Sequence, residues 1–245
     1  MKKTKIDRSI DTEALGFQVR ESYKTARTNI AYSIFKKGCK KVAFTSSTKG
    51  EGKTVTSINV ASALAQQVGT KVIVVECDLR RPRVNTALKI TPTPGLTNYL
   101  NEECSLEDIV KDTKIENLKA ITYGAIPPNP SELLASEKMR ELLEYVQHKY
   151  DYVIVDGTPL LPVTDVMSLA DEVAGVLLVA RYGRTTYQEI EESMKKLEIG
   201  DCNLLGFVLN DISAKNGSHY GYKYSYKYKY DYSYKYGGKD TSAES

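Results

Sequence analysis

Eight residues near the start of the chain, Ser47-Thr48-Lys49-Gly50-Glu51-Gly52-Lys53-Thr54, have the types and spacing of a loop that cradles phosphates. Gly50 and Gly52 let the backbone turn so that successive N–H groups converge on anionic oxygens. A helix opening at Lys53 adds the favourable partial charge of its N-terminus. In such a loop Lys53 bridges the terminal phosphates and the Thr54 hydroxyl ligates Mg²⁺. The expected nucleotide-binding set is therefore Thr48, Lys49, Gly50, Glu51, Gly52, Lys53 and Thr54, with ATP and Mg²⁺ as ligands. Ser47 stands where the strict pattern has glycine. Lys49 sits one place off the second lysine that marks dimer-activated ATPases with deviant loops, and it reads as a solvated loop lysine.

Two further acidic sites follow apolar, strand-like runs. Glu76-Cys77-Asp78-Leu79-Arg80-Arg81-Pro82 ends the run Lys71–Glu76, and the carboxylates at i and i+2 leave the strand on one side. That is where metal coordination and a base for an attacking hydroxyl are needed. Asp156-Gly157-Thr158-Pro159 ends the run Tyr152–Val155 and supplies a second anchor for Mg²⁺. An ordinary acidic turn accounts for either site alone, but less readily for both beside a phosphate loop.

The far end of the chain holds the groups that such a site could modify. Tyr220, Tyr222, Tyr224, Tyr226, Tyr228, Tyr230, Tyr232, Tyr234 and Tyr236 occupy every second position, half of the chain's 18 tyrosines. Lys, Ser, Gly and Asp lie between them. A nucleotide site at one end and a row of phenols at the other point to phosphorylation of the second by the first.

The elements that must position these groups are legible as alternating patterns. Strands are expected at Lys41–Thr45, Lys71–Glu76, Leu118–Thr122, Tyr152–Asp156, Val176–Ala180 and Leu204–Leu209. Helices are expected at Lys53–Gln67, Leu106–Lys111, Ser131–Lys149, Val163–Leu169 and Thr186–Leu197. In the third of these, Ser131 is read as the cap of one continuous amphipathic helix. Apolar strands joined by helices predict an α/β fold with a doubly wound, mostly parallel sheet of the P-loop NTPase type. Ligands in such sheets bind at the carboxyl ends of strands. The expected organisation is an N-terminal helical segment (1–40) with a helix over Thr12–Phe35, a nucleotide-binding domain (41–213) and a tyrosine-rich tail (214–245). Its Gly, Lys and Ser content makes the tail read as disordered, with a strand bearing all rings on one face as the alternative.

Composition narrows the classes. The net charge is +3, and residues 220–239, with five lysines and one aspartate, carry +4 of it. The remainder is nearly neutral, which argues against a general nucleic-acid surface. Apolar runs are strand-sized, and the basic start Met1-Lys2-Lys3 has no apolar stretch behind it. The chain therefore reads as cytoplasmic. Cys39, Cys77, Cys104 and Cys202 lack metal-ligand spacing and read as reduced thiols; His148 and His219 are too few and too far apart for a metal site.

Glu21-Ser22-Tyr23-Lys24-Thr25-Ala26-Arg27, the phosphate loop, Glu76–Pro82, Gly95-Leu96-Thr97, Pro127-Pro128-Asn129-Pro130-Ser131-Glu132-Leu133-Leu134, Asp156–Pro159 and the tail together carry a resemblance over nearly the whole chain. It resembles the cytoplasmic bacterial tyrosine kinases that autophosphorylate on a C-terminal tyrosine cluster and regulate capsule or exopolysaccharide synthesis. The resemblance implies Asp78 and Asp156 as Mg²⁺ residues and Glu76 as the carboxylate near the acceptor tyrosine. It also implies a homo-oligomer, a ring being one form, built through Glu21, Lys24 and Arg27. A separate membrane activator with a cytoplasmic tail would recruit the chain to the inner face of the membrane, and a cytoplasmic tyrosine phosphatase would reset it. Two positions depart from the family pattern: Glu76 replaces aspartate, adding a methylene, and Lys24 replaces the middle arginine of Glu-x-x-Arg-x-x-Arg, losing bidentate geometry. Two other classes are open. A partitioning or division-site ATPase would carry the deviant-loop lysine and a terminal amphipathic helix. A Tyr/Lys binding module for an anionic polymer would leave the phosphate loop unexplained.

Overall fold

The computed structural model describes residues 15–35 and 37–212. The tail expected at 214–245, with the whole tyrosine cluster, lies outside the described residues. A compact unit ends at Asn210.

Seven strands form one sheet in the order β3-β4-β2-β5-β1-β6-β7. They are β1 (Lys40–Ser46), β2 (Val72–Glu76), β3 (Val110–Asp112), β4 (Leu118–Ile121), β5 (Tyr152–Asp156), β6 (Gly175–Arg181) and β7 (Leu204–Asn210). All pairings are parallel except β3 with β4. The strand between Val110 and Asp112 is a correction to the expected helix Leu106–Lys111. A capping box between Ser105 and Asp108 starts a helix, α5, that stops at Ile109, and extended Val110 then pairs with Ile121.

Alternation sends the side chains of one strand to opposite layers. In β2, Val72 and Val74 join Phe44, Ile58 and Leu64 on the face covered by α1 (Phe17–Ser33) and α2 (Lys53–Ala65). Ile73 and Val75 join Leu142, Leu143 and Val155 on the face covered by α7 (Glu137–Gln147). Leu197 of α8 (Tyr187–Ile199) belongs to this second layer. Each fully buried Leu, Ile or Val stabilises the fold by about 1.5–3 kcal/mol. Helices on both faces make the sheet doubly wound. Among the described residues no helix is long and apolar enough to cross a membrane.

Three short elements escaped the sequence pattern or differ from it. The helices α3 (Val84–Leu88) and α4 (Leu96–Leu100) are single turns without a resolvable period, and Asp165–Glu172 is a 3₁₀ rather than an α-helix. The helix expected from Ser131 to Lys149 is two: α6 (Pro130–Leu134), then α7, which opens at Ser136. Ser131 is not the cap. Asn129 precedes α6, Pro130 supplies its first-turn φ, and the Ser131 hydroxyl donates to Asp165 at 2.6 Å. Ser136 Oγ caps α7 by accepting from the N–H of Met139.

This cap fixes where the break falls, so Ser136→Ala should lower unfolding free energy by about 1 kcal/mol in urea titration. Unchanged stability would mean that packing of Leu134 and Met139, not the cap, places the break.

Candidate active site

Insertion of β5 between β1 and β2 brings three strand ends side by side. Phe44 and Glu76 both lie in register with Asp156. The phosphate loop leaves β1 at this carboxyl edge and enters α2, whose preceding residue Gly52 has φ of 93°. Gly50 also has positive φ, 82°. Glycine is needed for space too: a Cβ on Gly52 would sit 1.9 Å from Asn210 Nδ2, and one on Gly50 2.9 Å from the Arg184 guanidinium.

Lys53 is 6% exposed and lies between two carboxylates, 2.9 Å from Asp156 and 3.5 Å from Asp78. Burial pulls its ammonium down, but the charges of Asp156 and Asp78 outweigh burial and leave it raised above its ordinary value. The Thr54 hydroxyl donates to the other oxygen of Asp156 at 2.7 Å, and Ser57 Oγ lies 3.3 Å from Asp156 Oδ1. Asp78 accepts from the N–H of Arg81 at 3.0 Å. Burial raises the Asp78 carboxyl; Lys53 restrains the rise and Asp156 adds to it.

The structure therefore brings Lys53, Thr54, Asp78 and Asp156 together; Glu76 lies next to Asp156 in the sheet but bonds to other partners. Glu76 is completely buried. One oxygen accepts from the N–H groups of Arg83 and Val84, at 2.5 and 2.6 Å, and the other from Tyr123 at 3.1 Å. A carboxylate committed to three amides shapes the turn after β2, and the tyrosines that it is expected to meet lie outside the described residues. Burial pushes its carboxyl from the ordinary 4.5 to about 7, the Val84 amide opposing the shift and the charge of Asp156 adding to it.

Within the loop, Thr48 and Glu51 bond to each other, with the Thr48 N–H 3.0 Å from the Glu51 carboxylate. Glu51 is 1% exposed, whereas the side chain of Lys49 is exposed, as a solvated loop lysine should be. Ser47, in the glycine position, meets Ser193 of α8 at 2.9 Å. Arg80 makes a two-point contact with Asp165, at 2.7 and 3.2 Å, tying the turn after β2 to the 3₁₀ helix. On α1, Glu21 and Lys24 pair at 2.8 Å on the exposed face, but Arg27 turns inward and donates to the Ala63 carbonyl of α2 at 2.9 Å. The three expected assembly residues thus do not share one outward surface. The acceptor tyrosines from Tyr220 to Tyr236 lie outside the described residues.

Thr54, Asp78 and Asp156 form a hard-oxygen donor set that fits Mg²⁺, which is commonly held by one or two carboxylates plus substrate phosphates. No cluster of three or more His, Cys, Asp or Glu side chains able to hold a metal by themselves occurs among the described residues. Sequence reading missed Arg181, Arg184, Thr185, Ser193 and Asn210. Only Arg181 and Asn210 carried a signal, their positions at the carboxyl ends of strands.

Residues 39–199 match the AAA domain family. The tyrosine-protein kinase YwqD of Bacillus subtilis is 39% identical over 202 residues, covering 82% of this chain and 85% of that protein. The tyrosine-protein kinase CpsD of Streptococcus agalactiae serotype Ia is 34% identical, with 80% and 84% covered. The chain spans only 28% of the Escherichia coli tyrosine-protein kinase Etk, to which it is 35% identical. The solved kinase domain of that Escherichia coli protein superposes with a TM-score of 0.80 at 32% identity, covering 90% of this chain and 89% of that one.

The raised Glu76 carboxyl makes a pH prediction. The unfolded chain loses this proton near 4.5, the folded one near 7, so the group's stabilising contribution is complete below 4.5 and is lost as pH rises through 7. The stability difference between the native chain and Glu76→Gln should shift against the native chain by up to about 3 kcal/mol over that window. Urea titrations at both ends of it check this. A constant difference would mean that Glu76 does not titrate there.

Proposed function

The chain belongs to the bacterial tyrosine kinases, and from that premise we propose that it transfers the γ-phosphoryl group of ATP to the tyrosine cluster Tyr220–Tyr236 of its own kind. The observation that supports this most directly is Lys53 lying between Asp78 and Asp156 beside a loop shaped by Gly50 and Gly52.

Loop amides and the α2 N-terminus bind the phosphates, and Lys53 exchanges its carboxylate partners for phosphate oxygens. Thr54, Asp78 and Asp156 would hold Mg²⁺, which would supply charge neutralisation to the polyphosphate. The tyrosine oxygen forms a bond to the γ-phosphorus as the bond to the bridging oxygen breaks, and ADP departs with that bonding pair. Asp78 takes the phenol proton: it lies 3.5 Å from Lys53, and its raised carboxyl improves it as a base. Glu76 holds the turn that carries Asp78. The tail is delivered to a neighbouring subunit within a homo-oligomer. A membrane protein with a cytoplasmic tail activates the kinase and recruits it to the inner face of the membrane, a cytoplasmic tyrosine phosphatase resets it, and its output is regulation of capsular or exopolysaccharide synthesis. Those partners rest on the family alone.

Incubation with labelled ATP and Mg²⁺, followed by site mapping, should place label on Tyr220–Tyr236, and Asp78→Asn should slow labelling by about 10²–10⁴-fold. ATP hydrolysis with no label on tyrosine would instead favour a partitioning-type ATPase. Mixing Asp78→Asn chains with active chains whose nine tail tyrosines are phenylalanine tests delivery between subunits. Label should appear on the Asp78→Asn tails; its absence would place transfer within one chain.

A further inference from the structure

The outer side of the phosphate loop is held by residues that come more than 130 positions later. Arg184 donates to the carbonyls of Lys49 and Gly50, at 2.9 and 3.3 Å, and Arg181 also reaches the Gly50 carbonyl, at 3.2 Å. Asn210 donates to the Glu51 carbonyl at 3.1 Å. In a planar trans peptide the C=O and the following N–H point in opposite directions. Holding the carbonyls of Lys49, Gly50 and Glu51 outward therefore turns the N–H groups of Gly50, Glu51 and Gly52 inward, which is the orientation that phosphate oxygens require.

Thr185 locks this arrangement. Its hydroxyl accepts from the N–H of Arg181 at 2.7 Å and donates to the buried Glu51 carboxylate at 2.6 Å. The same carboxylate accepts from the N–H and hydroxyl of Thr48. One side chain thus joins the turn that carries both arginines to the interior of the loop.

We propose that the turn Arg181–Thr185 is a positioning element for the phosphate loop, with Thr185 as its anchor. It rests on the nucleotide-binding reading of the loop and assigns affinity for the polyphosphate, not the chemical step, to residues outside the loop. The substitution Thr185→Val keeps shape and removes the donor; Thr185→Ser restores it.

Titration with a fluorescent adenine nucleotide should show Thr185→Val binding roughly three- to tenfold more weakly than the native chain, as expected when the hydroxyl's bonds to the Glu51 carboxylate and from the Arg181 N–H are both lost. Thr185→Ser should bind as the native chain does. In labelling assays the loss should appear in KM for ATP and not in the rate at saturation. Native affinity in Thr185→Val, or no recovery in Thr185→Ser, overturns the proposal. Should Thr185→Val fail to fold, Arg184→Gln, on an exposed side chain, must show the same KM-only loss. A native chain that binds no nucleotide removes the underlying reading, whereas a native chain that binds alongside an equally tight Thr185→Val removes only this inference.

Discussion

Everything at the carboxyl edge of the sheet depends on one buried ammonium held between two buried carboxylates. Lys53, Asp78 and Asp156 lie on three different segments, so their attraction fixes α2, the turn after β2 and the end of β5 against one another. Such a cluster adds little net stability, because desolvation offsets most of the Coulomb gain, yet removing one member leaves uncompensated charge and costs about 3–5 kcal/mol. Its value is geometric. Three charged groups from distant parts of the chain are poised in one place by the same forces that keep them paired.

Glu76 and Asp78 take different roles in this neighbourhood. Glu76 and Asp78 leave β2 two residues apart, and alternation alone gives them the same side. Reach separates them: Glu76 extends to the amides of Arg83, Val84 and Tyr123, while Asp78 stays beside Lys53. Sequence spacing describes direction from the backbone but not how far a side chain travels before it finds donors.

The alternation of β-branched strands with helices was legible because two-sided burial demands continuous apolar runs, and β1, β2, β5 and β6 lie within one or two residues of the expected spans. What escaped was short or context-dependent. β3 is three residues paired with β4, α3 and α4 are single turns, and the break at Ser136 uses a serine that looks interchangeable with Ser131. In the site, the meeting of Lys53, Thr54, Asp78 and Asp156 could be read because each lies within two residues of the end of an element. Arg184 and Thr185 could not, since they act by bonding to loop carbonyls and to Glu51, and nothing local marks that use.

The distance along the chain between the phosphate loop and its outer supports has a consequence for synthesis. The loop leaves the ribosome early, with its glycines, lysine and threonine all present. Asp156 follows a hundred residues later, and the supports from Arg181, Thr185 and Asn210 come last, the final one being the terminal residue of β7. Domains acquire structure from the N-terminus as they emerge, but contacts of this sequence separation form only when both partners are available. A nascent or truncated chain ending after β5 therefore carries the whole phosphate-loop motif without these outer contacts. They are completed only when the last strand has joined the sheet.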